Sequence, residues 1–343
     1  MPLEVSATAA GSNSSRSFLL RIALMSMVLL GAVAVSGDSS PAQEIPAGAP
    51  QLVDPSGLGY YAHAHPYLEE RLKHLVKHIP ELETLRPAGD QEMLPIILMH
   101  TGMKVGDFFH NIVDLAAHEE VGQEILSPEG AVLASQRLRY NYLIVLNGHE
   151  NPPRYEEYRT DPHGSRAEED GVEQGYAITA GFALKCIYFL PALRSDSTFR
   201  YLGDQMLGSR DTYVVAFAQQ PAHATFWGTV TGEWGSVRIL DQGIAWVDKS
   251  TFQIVRLRTD LLAAHSDIGL AQQTTEVTFG EVQIPDVATP LWLPSEANVY
   301  AKFQGHVFRN EHRYTNYERF RVSVKMDPPV AFLRCSDTHP SPQ

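Results

Sequence analysis

Cysteine is scarce: only Cys186 and Cys335 occur in 343 residues, and no Cys-x-x-Cys pair is present. In an oxidising compartment the two could pair and close a long loop, which chain entropy values at about 4–5 kcal/mol. Cys186 also suits a buried free thiol, because it sits in the apolar run FALKCIYFL. Cys335 falls in a Pro- and Ser-containing tail of the kind that orders poorly. Positive charge is scarce as well. Lys and Arg number 27 against 40 Asp and Glu, a net charge of -13, and no basic block stands out. That balance argues against nucleic acid or an anionic membrane face as the main partner. Catalytic signatures are missing too: no Gly-x-Ser-x-Gly elbow, no phosphate-binding loop with Lys, no His-Glu-x-x-His. A Ser/His/Asp triad assembled in space would leave no such local mark. Nothing here calls for an enzyme, and no cofactor is implied.

Long apolar runs are also few. One covers residues 22–35, IALMSMVLLGAVAV, after Arg16 and Arg21, and small residues from Ser36 to Ala42 follow it. A basic start, a short apolar core and a small-residue exit describe a secretory signal, with cleavage near Gly37 or Ala42. A membrane span needs about 20 apolar residues, so retention as an anchor is the weaker reading, and no other run is long enough to span. No cysteine follows the run, so it offers no lipoprotein anchor. The expected location is periplasmic or secreted.

Residues 1–42 are therefore read as a signal peptide and 43–65, rich in Pro, Gly and Ala, as a linker. From 66 to 130 the pattern is helical. Pro66 and Pro80 bracket a helix whose Leu68, Leu72, Leu75, Val76 and Ile79 form one stripe. A second helix is expected from about 90–95 to His100, and a short third over 105–113. They are too few to hold a core of their own and should pack on a sheet.

From 131 to 327 short strand-like runs dominate. The clearest is GIAWVDKSTFQIVRLRTD, residues 243–260, two strands with Asp248, Lys249 and Ser250 at the tip. Further strands are expected at 138–146, 155–161, 176–189, 199–207, 212–219, 225–230, 274–284, 296–303, 306–314 and 317–324. Asn147-Gly148 and Gln304-Gly305 are hairpin signals. Phe320, Val322 and Val324 alternate with Arg319, Arg321 and Ser323, so one face is buried and one wet, as in an antiparallel sheet. The run TYVVAFA, 212–218, is apolar on both faces and should be central or covered by a helix. Residues 328–343, with Pro328, Pro329, Pro340 and Pro342, read as a poorly ordered tail. The fold class is mainly β (α+β), a curved antiparallel sheet or partly closed barrel with a few short packed helices.

The polar candidates each have a plainer reading. His63 and His65 could share a metal from an extended segment, and His74 and His78 from one helix face. Neither pair has a third ligand at a natural spacing, so all four are read as surface residues and no metal is expected. The acid pairs Glu119-Glu120, Glu156-Glu157 and the run Glu168-Glu169-Asp170 are read as solvated loop residues. Trp227, Trp234, Trp246 and Trp292 all lie in the β portion, where core packing or an apolar groove could use them.

Three stretches resemble the LolA/LolB-like lipoprotein-carrier group: residues 243–260, FRYLGDQMLGSRDTYVVAFAQ at 199–219, and LWLPSEANVYAKFQGHVFRNEHRYTNYERFRV at 291–322. The whole chain also resembles a group of uncharacterised exported bacterial proteins. The resemblance implies an unclosed, 11-stranded half-barrel capped by helices, periplasmic, without catalytic residues, its concave face holding lipid or acyl chains. The inward-facing groove residues would be Tyr213, Val215, Phe217, Val277, Phe279, Phe320, Val322 and Val324. The alternative is an envelope protein-interaction or stress-sensing module whose barrel is filled, since the extra N-terminal helices have the bulk to fill it. A minor alternative is an exported hydrolase or metalloenzyme using the histidines.

Overall fold

The computed structural model describes residues 59–147, 154–161, 164, 181–232 and 235–319. The signal segment, most of the linker, the tail with Cys335, Glu168-Glu169-Asp170, Gly148, and the three groove candidates Phe320, Val322 and Val324 lie outside the described residues. The described strands in chain order are β1 (Arg86–Pro87), β2 (Leu115–Leu126), β3 (Val132–Asn147), β4 (Arg154–Thr160), β5 (Ser197–Leu207), β6 (Arg210–Gln219), β7 (Gly228–Gly232), β8 (Gly235–Ile239), β9 (Asp241–Asp248), β10 (Ile254–Leu261), β11 (Leu270–Val282), β12 (Leu291–Phe303) and β13 (His306–Arg319). Eleven of them form one antiparallel sheet in the order β1-β5-β6-β9-β10-β11-β12-β13-β2-β3-β4, and β7–β8 form a separate hairpin. The run from β9 to β13 is a plain meander of neighbours. The long-range joint is β13 on β2, with Tyr314 opposite Glu119 and Phe308 opposite Ile125.

The sheet is open, because β1 and β4 end it and do not pair with each other. It is also strongly curled. The 3-10 segment Ala183–Phe189 touches β4 through the Ala183 N–H on Glu157 and β6 through Tyr188 on Phe217. Laid flat, β4 and β6 would stand about 38 Å apart at 4.8 Å per strand. Five residues of 3-10 backbone reach only about 10 Å, so the strands must wrap around the segment.

The hairpin at 243–260 forms as its pattern predicts, with Val247 opposite Ile254. Its tip is fixed by Asp248, whose carboxylate accepts from the backbone N–H of Ser250 and Thr251 at 2.9 and 3.0 Å. Those bonds and Arg210 outweigh the opposing effect of burial and hold the Asp248 carboxyl down at about 2. The turn at Gln304-Gly305 also forms, both residues having positive φ.

The TYVVAFA run is covered on both faces. Val214 and Ala216 of β6, with Ile244 and Trp246 of β9, pack against Leu75, Ile79 and Leu82 on the convex side. Leu75 belongs to α1 (Leu72–His78), and Leu82 to the 3-10 turn Pro80–Leu82. Val215 and Phe217, with Ala245 and Val247, point the other way into the concave core. Gly243 has a packing reason: the Phe217 ring and the Arg258 carbonyl occupy the space a Cβ would need, at 2.8 and 2.1 Å.

Several sequence expectations differ from the structure. The expected helix at 66–79 is regular only over α1. The second and third helices are one, α2 (Leu94–Asn111). Gly102 lies where α2 meets the end of the 3-10 segment Ala183–Phe189 and the Pro191 that follows it. A Cβ there would sit 3.1 Å from the Phe189 carbonyl and from Pro191. The run expected as a strand at 176–189 is the 3-10 segment over Ala183–Phe189, because it lies on the sheet instead of pairing with it. The sheet also begins before residue 131, with the short edge strand β1 and the long strand β2. The expected strands 306–314 and 317–324 are joined over their described part as β13, with an irregularity after Thr315 and positive φ at Asn316.

Candidate functional site

The concave face carries the largest buried apolar cluster among the described residues. Residues of nine neighbouring strands, from β5 to β3 in the sheet order, converge there, among them Val215, Phe217, Leu257, Val277, Ala297, Tyr314 and Ala117. Two elements lie on this strip. From α2 come Ile97, Val105 and Phe108, and from the 3-10 segment come Phe182, Leu184, Tyr188 and Phe189. The ring of Phe189 meets Phe217 edge-on at 5.7 Å, and Tyr188 lies 4.7 Å from the same ring. At the other end of the strands, the β7–β8 hairpin packs Val230, Val237 and Ile239 on Leu270, Ala301, Phe303 and Phe308.

Of the groove residues expected from sequence, Val215, Phe217, Val277 and Phe279 lie in this concave cluster and are buried. Tyr213 is half-buried at its margin, stacked on Phe252 at the β9–β10 turn. Beneath the 3-10 segment these side chains form a closed core, not an open trough.

A polar belt crosses the concave face beside this core, and the sequence reading missed it. Glu119 and Glu157 were expected as solvated loop residues; both are in strands and turned inward. Glu119 is fully buried and accepts from Arg159 Nη2 at 2.8 Å and from the Tyr314 hydroxyl at 2.7 Å, and lies 2.8 Å from His312 Nδ1. Burial alone would raise its pKa, but Arg159 and His312 outweigh it and hold the carboxyl at about 2. Burial pushes the His312 pKa down, and the Phe182 ring covers the imidazole edge-on at 4.9 Å. Glu157 accepts from the Ala183 and Leu184 N–H groups at 3.0 and 2.9 Å and from the Tyr142 hydroxyl. Its pKa is raised by burial, against the pull of those bonds. On the opposite wall Asp241 accepts from the Tyr188 hydroxyl at 2.5 Å and faces Lys185 at 3.5 Å. So the 3-10 segment is held by polar contacts at both ends of its span.

The belt has an acid and an imidazole in contact, but its chemistry is that of a fastener. Glu119 is locked in its ionised form by Arg159, and His312 is roofed by Phe182. The neighbouring acids Glu120 and Glu156 fall on the other side of their strands, with Glu120 exposed beside Arg139 at 3.0 Å. Cys186 is buried, and burial pushes its thiol up to about 12. His63, His65, His74 and His78 are exposed. Among the described residues no group of three or more His, Cys, Asp or Glu could hold a metal ion. Among them, too, no helix is long and apolar enough to cross a membrane.

No family model matches the chain, and no curated protein matches it. Solved structures do. A putative outer membrane lipoprotein-sorting protein domain from Vibrio parahaemolyticus is 11% identical, with 65% of this chain and 94% of that chain covered and a TM-score of 0.33. A LolA superfamily protein from Nitrosomonas europaea is 11% identical over 66% and 94%, with a TM-score of 0.29. A DUF1329 family protein from Desulfovibrio piger is 11% identical over 66% and 94%, with a TM-score of 0.32. The architecture of this chain, an unclosed, curled antiparallel sheet, stands on its own strand order.

Proposed function

We propose that the protein is an exported, non-enzymatic binding or carrier protein of the cell envelope, and that its concave face takes the apolar part of a lipid or acyl chain. One observation carries this reading: an apolar strip spans nine strands, and beside α2 the part of its cover that lies on Phe217 of β6 is a short 3-10 segment instead of a paired strand. Short 3-10 runs have poorer hydrogen-bond geometry than α-helix. A chain of methylenes can replace Phe189 and Tyr188 on Phe217 with similar burial, at about 0.8 kcal/mol per buried CH2. The polar belt then gives a ligand headgroup somewhere to stop.

The test uses palmitate and detergent-free protein. The reading expects palmitate to raise the melting temperature and to quench the fluorescence of a tryptophan placed at Phe189 (F189W). An unchanged melting temperature and unchanged fluorescence at saturating palmitate would contradict it.

A second reading has one specific observation behind it. On α2, Ile96, Met99 and Met103 make an exposed apolar stripe at helical spacing. That favours a filled barrel that works by contacting an envelope protein. Co-purification of a stoichiometric partner, lost on changing Met99 and Met103 to Lys, would support it.

A further inference from the structure

On the convex face of β13, β2 and β3 the side chains form three successive rows across the strands. In the first row Arg309, Glu124 and Ser135 face one another, and Arg309 is paired to Glu124. In the third row Arg313, Glu120 and Arg139 do so, and Glu120 binds Arg139 at 3.0 Å. In both rows the middle strand supplies a glutamate that an arginine beside it takes up. The second row breaks this rule. Gly122 stands between Glu311 and Arg137, so the middle carboxylate is missing.

The gap is a real space. A Cβ on Gly122 would meet nothing within 4 Å, and the hollow over it measures about 380 Å³. Arg137, Glu311, Arg309, Glu124 and Ser135 line it. Arg137 and Glu311 are each opposite Gly122, so their Cα atoms stand about 10 Å apart, two antiparallel spacings. They form no ion pair with each other, although their charges are opposite. An arginine and a carboxylate held apart across an empty strand position match a ligand that carries both signs.

We propose that this hollow binds a small dipolar ion, with an anionic oxoacid group on Arg137, where the missing carboxylate of the row would sit, and a primary ammonium on Glu311. Charge-assisted bonds to guanidinium are the strong kind and are often bidentate. A zwitterionic headgroup and a free zwitterion share this chemistry. The site lies on the opposite side of the sheet from the concave face and is independent of the reading given above.

The experiment titrates the full chain with phosphoethanolamine by calorimetry, with inorganic phosphate as the single-charge comparison. Saturable binding is expected, at least several-fold tighter for phosphoethanolamine than for phosphate. Arg137→Gln should weaken both ligands about tenfold. Glu311→Gln should abolish the preference for phosphoethanolamine over phosphate. Gly122→Glu should complete the row and abolish binding, and since all three positions face solvent, melting temperatures should stay within a few degrees. Flotation with phosphatidylethanolamine vesicles but not phosphatidylcholine vesicles would assign the site to a lipid headgroup; no flotation, with binding of the soluble ion intact, would assign it to a free zwitterion. Absence of saturable binding, or binding untouched by Arg137→Gln, would overturn the proposal.

Discussion

The two halves of the sheet solve burial differently. In β5, β6, β9 and β10 both faces are covered. The convex side lies under α1 and the turn at Pro80–Leu82, and the concave side under the 3-10 segment. In β12, β13, β2 and β3 only the concave side is covered, and the convex side carries charged rows. The first half has continuous apolar strands, such as VVAFA at 214–218. The second has alternating strands in which one acid of a neighbouring pair goes in and the other goes out. Where an acid goes in, it needs a dedicated counter-charge, as Glu119 has in Arg159.

The largest effect should come from breaking that inward pairing. Glu119→Gln leaves Arg159 buried without its counter-charge and should cost about 3–5 kcal/mol, whereas Glu120→Gln next to it should change stability by under about 0.5 kcal/mol. Denaturant melts of the two variants check this; equal effects would remove the distinction between the two faces.

In the doubly covered half, Phe217→Ala removes a ring from the concave core and should cost about 3–5 kcal/mol, and Leu75→Ala on the convex side about 2–5 kcal/mol. If α1 were only loosely laid on the sheet, Leu75→Ala would cost far less, and urea melts would show it.

The pH dependence should report on the inward polar belt of the second half. Glu119 has a folded pKa near 2, below its ordinary value of 4.5, so its contribution is present above about pH 4.5 and is lost as pH falls toward 2. His312 has a lowered pKa, so the unfolded chain takes up the proton first, and stability falls as pH drops below the ordinary 6.5. Glu157 has a raised pKa and works in the opposite direction: its contribution is full below about pH 4.5 and is lost as pH rises through its folded value. Acid melts should therefore show a loss of stability beginning below about pH 6.5, and His312→Gln should flatten its first part. An unchanged acid profile in His312→Gln would contradict the assignment.

The smallest effect belongs to the solvent-facing rows. Arg139→Ala, whose pair with Glu120 is well exposed, should change stability by no more than about 1 kcal/mol, and salt should erase that difference. A larger loss in thermal melts would mean that the convex rows stabilise the fold more than their exposure allows.

The contrast between the halves also explains what could be read from sequence. The hairpin at 243–260 was legible because polar turn residues separate two apolar runs. The double covering of β6 was legible because no polar residue interrupts it. β2 was not, since its inward positions are Leu115, Ala117, Glu119, Val121 and Gln123, and the polar members hide the alternation. The buried acids were missed because local sequence shows their neighbour but not Arg159, which lies 40 positions away. The 3-10 segment was missed because a run that is apolar on every side fits a central strand as well as a plug. Of the groove residues, the sequence could place Val215, Phe217, Val277 and Phe279 inward by parity, but parity says nothing about what lies over them.

The most direct measurement is native mass spectrometry of the chain purified from its own envelope fraction without detergent. The account predicts a discrete added mass that denaturation releases as an amphiphile, reduced in a Phe217→Ala variant that still folds. A bare chain mass, unchanged after incubation with palmitate, would contradict the concave face as a ligand surface.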